Sequence, residues 1–154
     1  REGMREGAVL TGVRGRLSIV RRRPRTIVDV AHNPAAMRAL ADALRRLRIR
    51  PRVAVVGVAA DKDVHAIARA LRGVVGCVIA VAARTHRSRP AIETARAVRR
   101  AGLRASAAPT VTAGVQAAHA VVGSNGTVLV TGSHFVVGEA VAFLERRHYL
   151  TISQ

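Results

Sequence analysis

The sequence predicts an α/β fold class: a three-layer, Rossmann-like domain with a mostly parallel sheet. Short apolar stretches alternate with stretches of helical periodicity along most of the chain. The apolar stretches, such as residues 52–57 and 127–130, lack the alternation of apolar and polar residues that a half-exposed strand shows. The connections between the elements are short. Together, these three observations indicate parallel strands that helices cover on both faces.

The predicted elements follow one another in a regular order. The predicted strands cover residues 16–20, 26–30, 52–57, 77–81, 105–107 and 127–130. The predicted helices cover residues 34–47, 63–71 and 112–122. Two further helices are predicted, one that begins at Pro90 and a last one that ends near residue 147. The first helix has the clearest start, because Asn33 is a favoured cap and Pro34 suits the first helical position. The basic stretch 21–24 is predicted to be a turn.

Length and composition indicate one domain with its own core. The chain has 154 residues, 49% of them apolar, and a chain of about this length buries roughly two thirds of its extended surface without a disulfide or metal. Its single cysteine, Cys77, lies in an apolar stretch and is expected to be a small buried thiol. No stretch approaches the ~20 apolar residues of a membrane span, and no signal-peptide pattern opens the chain. We therefore expect a cytoplasmic protein without a membrane partner.

The formal net charge of +17 favours polyanion binding, because clustered basic side chains neutralise phosphates. Lys62 is the only lysine, however, and such a strong preference for arginine also fits a coding bias. Aromatic residues make up 2% of the chain, too few for base-stacking platforms. We expect no specific nucleic-acid partner, and a basic α/β module that binds nucleic acid is kept as an alternative.

Residues 1–15 are rich in glycine and charge, which is typical of a linker or of the tail of a preceding segment. The chain also begins with Arg1 rather than methionine. We therefore expect it to be a piece of a longer protein.

Polar residues follow three of the predicted strands at the point where each strand ends. They occupy residues 29–33, 61–63 and 131–134. Because the carboxyl ends of parallel strands meet at one edge of a sheet, we expect these three clusters to lie together as a ligand site.

Each cluster taken alone also has a purely structural explanation. Asp29 can be a turn residue, and His32 can be a surface histidine. Asp61 can be a helix cap, with Asp63 in the first turn of the helix, and for Asp61 this structural explanation is preferred. The glycine and serine at 132–133 can form a turn that ends a strand.

Several motifs of known catalytic chemistry are absent from the sequence. Lys62 lacks the glycines and the neighbouring hydroxyl of a phosphate-binding loop. No G-x-G-x-x-G opens a helix after a strand, and the sequence has no H-E-x-x-H, no cysteine pair and no G-x-S-x-G. The sequence therefore predicts a ligand-binding edge without a complete catalytic centre and without a set of metal ligands.

Four motifs occur in the order seen in a known family. They are Gly15-Arg16-Leu17, Asp29-Val30-Ala31-His32-Asn33-Pro34, Asp61-Lys62-Asp63 and Val130-Thr131-Gly132-Ser133. In this order, and over about residues 12–147, the chain resembles the C-terminal domain of bacterial folylpolyglutamate synthase/dihydrofolate synthase, of the Mur ligase superfamily. The resemblance implies a Mur ligase C-terminal type of α/β domain over residues 14–150. It also implies that residues 1–13 are a linker from a preceding ATPase domain.

The resemblance further implies one domain of an ATP-dependent acid–amino-acid ligase. In that family a carboxylate of folate or dihydropteroate is phosphorylated to an acyl phosphate, which the amine of L-glutamate attacks. ATP and Mg²⁺ are bound mainly by the preceding domain, which carries the phosphate-binding loop, so this chain alone is expected to be inactive. The implied partners are folate or dihydropteroate, L-glutamate and that preceding ATPase domain, in a monomeric enzyme.

The resemblance also implies roles for single residues. Arg16 would reach toward the nucleotide phosphates, where a guanidinium can stabilise charge on a transferred phosphoryl group. The resemblance implies catalytic roles for Arg16 and His32, and nucleotide binding by Arg16, Asp29 and Asn33. It implies glutamate binding by His32 and Ser133. Asp61, Lys62 and Asp63 would lie at the interface or position other groups.

The chain departs from the family pattern at a few positions. Arg14 stands where the family usually has a proline, and His134 and Phe135 stand where aromatic residues often follow the glycine and serine. Arg89 lies where the family often has an arginine, and no role is assigned to it. A similar domain would occur in another Mur-superfamily ligase, such as a peptidoglycan or cyanophycin enzyme, and this alternative is kept.

Overall fold

A single six-stranded sheet organises the part of the chain that the computed structural model describes, which is residues 16–153 for the backbone and 16–146 for the side chains. The predicted linker over residues 1–13 lies outside these residues. The strands are β1 (Ser18–Arg22), β2 (Arg25–Asp29), β3 (Val53–Val56), β4 (Cys77–Ala80), β5 (Arg104–Ala107) and β6 (Thr127–Thr131). The helices are α1 (Pro34–Arg46), α2 (Val64–Leu71), α3 (Ala91–Arg100), α4 (Val111–Val122) and α5 (His134–Ser153).

The strand order in the sheet is β1-β2-β6-β3-β4-β5. Five strands are parallel to one another, namely β2, β6, β3, β4 and β5. The edge strand β1 pairs with β2 in the antiparallel direction. This arrangement confirms the predicted mostly parallel sheet. It also places the ends of β2, β6 and β3 side by side.

Helices pack on both faces of the sheet. Apolar side chains of α1, α2 and α3 form one core, and those of α4 and α5 form the other. Along β3, Ala54 and Val56 contribute to the first core while Val53 and Val55 contribute to the second. Because both faces of such a strand are buried, every position is apolar, which explains the absence of alternation in the sequence.

The structure differs from the sequence prediction at several places. Arg21 and Arg22 belong to β1 rather than to a turn, since an edge strand can hold charged side chains in solvent. Cys77 is only half-buried at the start of β4, not fully buried as expected. The last helix continues to Ser153, beyond the expected end near residue 147.

None of the described helices is both long enough and apolar enough to cross a membrane.

Gly132, in the turn between β6 and α5, is under a tight steric constraint. Its φ is +114°, and a Cβ atom at this position would collide with the carbonyl oxygen of Gly57 at the end of β3. Backbone strain and overpacking would therefore act together on any larger residue. The close approach of these two strand ends depends on glycine.

We predict that Gly132→Ala lowers the free energy of unfolding by at least about 2 kcal/mol, from strain and overlap combined. Urea denaturation of the purified chain, followed by circular dichroism, measures this change. Gly138→Ala is the matched control, because Gly138 is exposed within α5 and a Cβ there meets no atom within 4 Å. Equal unfolding midpoints for wild type and Gly132→Ala would contradict the prediction.

Candidate functional site

The ends of β2, β6 and β3 form one edge of the sheet, which we call the carboxyl edge. Asp29 of β2 and Val56 of β3 both pair with Thr131 of β6. The segments that leave these strands, residues 30–33, 57–63 and 132–133, therefore start next to one another. The structure thus brings together the three polar clusters that the sequence predicts to converge.

Two clefts open at the carboxyl edge. The central cleft has a volume of about 250 Å³, and its polar lining includes His32, Asp61, Lys62, Arg87, Ser88 and Ser133. The flanking cleft has a volume of about 480 Å³, and its polar lining includes Arg16, Asp29, His32 and His134. His32 and His134 line both clefts, so the two spaces adjoin.

Asp29 links two backbone segments beside the flanking cleft through hydrogen bonds. Its Oδ2 accepts a hydrogen bond from the amide of Leu17 at 3.0 Å, and its Oδ1 accepts one from the amide of Ala31 at 2.9 Å. Burial raises the pKa of the Asp29 carboxyl above its ordinary value, although these two bonds and the charge of Arg16 act in the opposite direction. The carboxylate therefore holds the start of β1 against the end of β2.

His32 is oriented by the backbone of its own segment. Its Nδ1 lies 3.1 Å from the carbonyl oxygen of Val30. A carbonyl only accepts, so Nδ1 carries the hydrogen, and Nε2 of the neutral ring is left with a lone pair. The ring centroid of His32 lies 5.5 Å from that of His134. A histidine whose ring is oriented by a backbone contact thus stands where the two clefts meet.

Three of the predicted site residues, Asn33, Asp63 and Ser133, cap helices at the carboxyl edge. Asn33 Oδ1 accepts from the amide of Ala36 at 2.8 Å and caps α1, as the sequence predicts. Ser133 Oγ accepts from the amide of Val136 at 3.0 Å at the start of α5. These bonds satisfy amides that the first turn of a helix otherwise leaves unpaired.

The cap of α2 is Asp63, whose Oδ1 accepts from the amide of Ala66 at 3.1 Å. The preference for Asp61 as the cap was therefore wrong, because the helix begins two residues later than that assignment requires. Asp61 instead lines the central cleft beside Lys62. Asp63 and Asn33 line neither cleft, so only part of the predicted set faces the cavities.

One wall of the central cleft was not predicted to take part in the site. It comes from the segment after β4 and includes Thr85, Arg87 and Ser88. The amide of Arg84 in the same segment donates to Glu139 Oε2 of α5 at 2.6 Å. A signal was available in the sequence, because this basic segment also follows the carboxyl end of a predicted parallel strand.

Metal ligation has no evident basis in the described side chains. Among residues 16–146, no three histidine, cysteine, aspartate or glutamate residues lie close enough together to hold a metal ion. The polar side chains that line the two clefts are instead cationic groups, two histidines, several hydroxyls and the carboxylates of Asp29 and Asp61.

Comparison with known sequences identifies a family. A family model described as "Mur ligase, glutamate ligase domain" matches residues 15–134. These residues include β1 to β6 and the start of α5, so the match contains every residue that lines the flanking cleft and all but Phe135 of those that line the central cleft. A comparison with curated protein sequences finds no significant match.

Solved structures with similar folds include three folate-related enzymes. Escherichia coli FolC in complex with DHPP and ADP is 30% identical, with a TM-score of 0.78 over 87% of this chain and 32% of that chain. Mycobacterium tuberculosis folylpolyglutamate synthase complexed with ADP is 30% identical, with a TM-score of 0.75 over 84% of this chain and 32% of that one.

The third is the Yersinia pestis bifunctional folylpolyglutamate synthase/dihydrofolate synthase complexed with AMPPNP and Mn, which is 27% identical. Its TM-score is 0.73 over 85% of this chain and 31% of that chain. This chain therefore spans about a third of the length of the structures that it matches.

The raised pKa of Asp29 predicts a pH dependence of stability. A carboxyl whose pKa is higher in the folded than in the unfolded chain adds stability at low pH, and this contribution is lost as pH rises through the folded pKa. The stability of wild type relative to Asp29→Asn should therefore fall as pH rises from the ordinary carboxyl pKa through the raised one.

Urea denaturation of both proteins across this pH range measures the difference. Asp42→Asn is the control, because Asp42 lies on the exposed side of α1 with its side chain 69% exposed. A stability difference between wild type and Asp29→Asn that rises with pH would contradict the prediction.

Proposed function

The chain belongs to the Mur ligase, glutamate ligase domain family, as the resemblance predicts, and from this membership we propose that it is the C-terminal domain of an ATP-dependent amide ligase. We propose further that this ligase joins L-glutamate to a folate, or to dihydropteroate, through an acyl phosphate. The observation that carries the proposal is the pair of adjoining clefts, one beside Arg16 and Asp29 and the other beside Lys62 and Ser133.

In the proposal, the flanking cleft faces the nucleotide. Arg16 is exposed there, and a guanidinium suits the delocalised charge of a transferred phosphoryl group. Each oxygen of Asp29 uses one lone pair on a backbone amide and keeps another for a nucleotide hydroxyl. Asn33 lines neither cleft and its Oδ1 is occupied as a cap, so the proposal leaves it only a contact from its amide nitrogen to a part of the nucleotide that extends beyond the flanking cleft.

The central cleft suits the amino acid. L-glutamate carries two carboxylates and one ammonium group at neutral pH, and the cleft offers two cationic side chains, Lys62 and Arg87, with one carboxylate, Asp61. The hydroxyl of Ser133 can add a hydrogen bond to a carboxylate. The charges of the cleft are thus complementary to those of this substrate.

His32 stands between the two proposed subsites. The ammonium of glutamate must lose a proton before its nitrogen can attack an acyl carbon, and Nε2 of a neutral His32 can accept that proton. The attack forms the amide bond and releases inorganic phosphate. This assigns to His32 the role of a general base.

ATP would supply the phosphoryl group that activates the carboxylate. The chain has no phosphate-binding loop in its sequence, so the ATP phosphates and Mg²⁺ would be held mainly by a preceding ATPase domain, with Arg16 reaching them from this side. This division fits a chain that spans about a third of its solved relatives. Both synthase activities, or another Mur-superfamily acceptor, fit the same division.

We predict that the protein with its preceding domains releases ADP only when ATP, Mg²⁺, a folyl substrate and L-glutamate are all present. The isolated chain should release none, because the phosphate-binding loop lies elsewhere. A coupled ADP assay with single omissions measures this dependence. ADP release that follows a muropeptide substrate and is unaffected by folyl compounds would instead favour a peptidoglycan ligase.

We also predict that Arg16→Ala in the same protein lowers kcat by about 10²-fold, the usual loss when a preorganised charge-stabilising donor is removed. Arg38→Ala is the matched control, since Arg38 is an exposed arginine on α1 outside both clefts. Steady-state kinetics at saturating substrates provide the measurement. Equal kcat values for the two variants would remove Arg16 from the proposed site.

A further inference from the structure

Arg89 bonds to a segment of the chain nearly thirty residues away. Its Nη2 donates to the carbonyl oxygen of Ala60 at 2.7 Å and to that of Lys62 at 3.0 Å. Its Nη1 lies 3.5 Å from Glu93 Oε1 in α3, and the Arg89 side chain is 20% exposed. One guanidinium therefore joins the start of α3 to residues 60–62, which form part of the central cleft.

The backbone on either side of Arg89 supports the same connection. The amide of Arg89 donates to the carbonyl of Val58 at 2.9 Å, and the amide of Ala60 donates to the carbonyl of Arg87 at 2.8 Å. An isolated antiparallel bridge joins Ala59 to Ser88 between these bonds. These two segments, which both contribute residues to the lining of the central cleft, are thus held together as one unit.

The two carbonyls bound by Arg89 have a special position. The carbonyl of Ala60 belongs to the peptide group before Asp61, and the carbonyl of Lys62 belongs to the peptide group after Lys62. Fixing both peptide groups fixes the directions in which the Asp61 and Lys62 side chains leave the backbone. Both of these side chains line the central cleft.

One donor of the Arg89 side chain takes no part in these contacts. Nε of Arg89 is buried, and it has no hydrogen-bond partner among the residues that the structure describes. A buried donor on a charged group costs free energy when it is left unpaired.

We propose that Arg89 is a positioning residue, which holds Asp61 and Lys62 in the geometry that binds the amino-acid substrate. This inference rests on the proposed function, because it assigns the central cleft to L-glutamate. Arg89 does not line the cleft itself, so it acts on substrate binding through the segment that it holds. Its loss should therefore raise KM for glutamate while leaving kcat nearly unchanged.

The first test uses hydrogen–deuterium exchange of the protein and needs no activity. Removing two charge-assisted hydrogen bonds in Arg89→Ala should speed amide exchange within residues 58–63 by about tenfold or more, with little change elsewhere. Arg89→Lys keeps the charge but lacks the planar fork, so its exchange should be intermediate, and it provides the same test if the alanine variant does not fold. Exchange equal to wild type in both variants would overturn the inference.

Two controls separate this effect from general ones. Glu93→Gln removes the ion pair of Arg89 with α3 and leaves both carbonyl bonds, and Arg96→Ala removes an exposed positive charge from the same helix. Both variants should exchange as wild type does within residues 58–63. Faster exchange in Arg96→Ala as well would show that loss of charge, not loss of the two bonds, is the cause.

The second test measures glutamate-dependent ADP release by the protein with its preceding domains. Arg89→Ala should raise KM for glutamate by about tenfold, the effect of losing one well-placed interaction, and Arg89→Lys should restore part of it. An unchanged KM in an active enzyme overturns the positioning role alone. A wild-type enzyme with no response to glutamate overturns the proposed function, and with it the assignment of Arg89 to glutamate binding.

Discussion

The geometry of the carboxyl edge depends on the two hydrogen bonds that Asp29 accepts from the backbone. One reaches the amide of Leu17, whose φ of +48° is a left-handed conformation that a non-glycine residue rarely adopts. The other reaches Ala31, in the segment that carries His32. A single carboxylate thus places Arg16 and His32 beside one cleft, at the expense of burying part of its charge.

Three residues of the predicted site also stabilise the starts of helices. Asn33, Asp63 and Ser133 each accept a hydrogen bond from an amide in the first turn of a helix. Helices in a parallel sheet begin where the strands end, so caps and ligand-binding residues compete for the same few positions. A substitution of Ser133 will therefore affect the start of α5 as well as any ligand. The stability of such a variant has to be measured together with its activity.

The sequence predicts the fold well because the central strands β3 and β6 are buried on both faces and α1, α2 and α3 each have a clear apolar side. It also predicts that the clusters around Asp29, Asp61 and Ser133 converge, since parallel strands end at one edge. The cap of α2 was misplaced because Asp61 and Asp63 are equally good caps and a helix start is uncertain by two residues. Contacts such as that of Arg89 with Ala60 join distant segments, and no local pattern predicts them. The chemical roles stay predictions, because in the proposal they require a second domain.

The most direct test of the two-cleft proposal is a crystal structure of the protein with its preceding domains, bound to ADP and L-glutamate. We expect glutamate in the central cleft, within hydrogen-bonding distance of Lys62 and Ser133, and ADP beside the flanking cleft with a phosphate near Arg16. Glutamate bound outside the central cleft, with Lys62 and Ser133 left in contact only with solvent, would contradict the assignment.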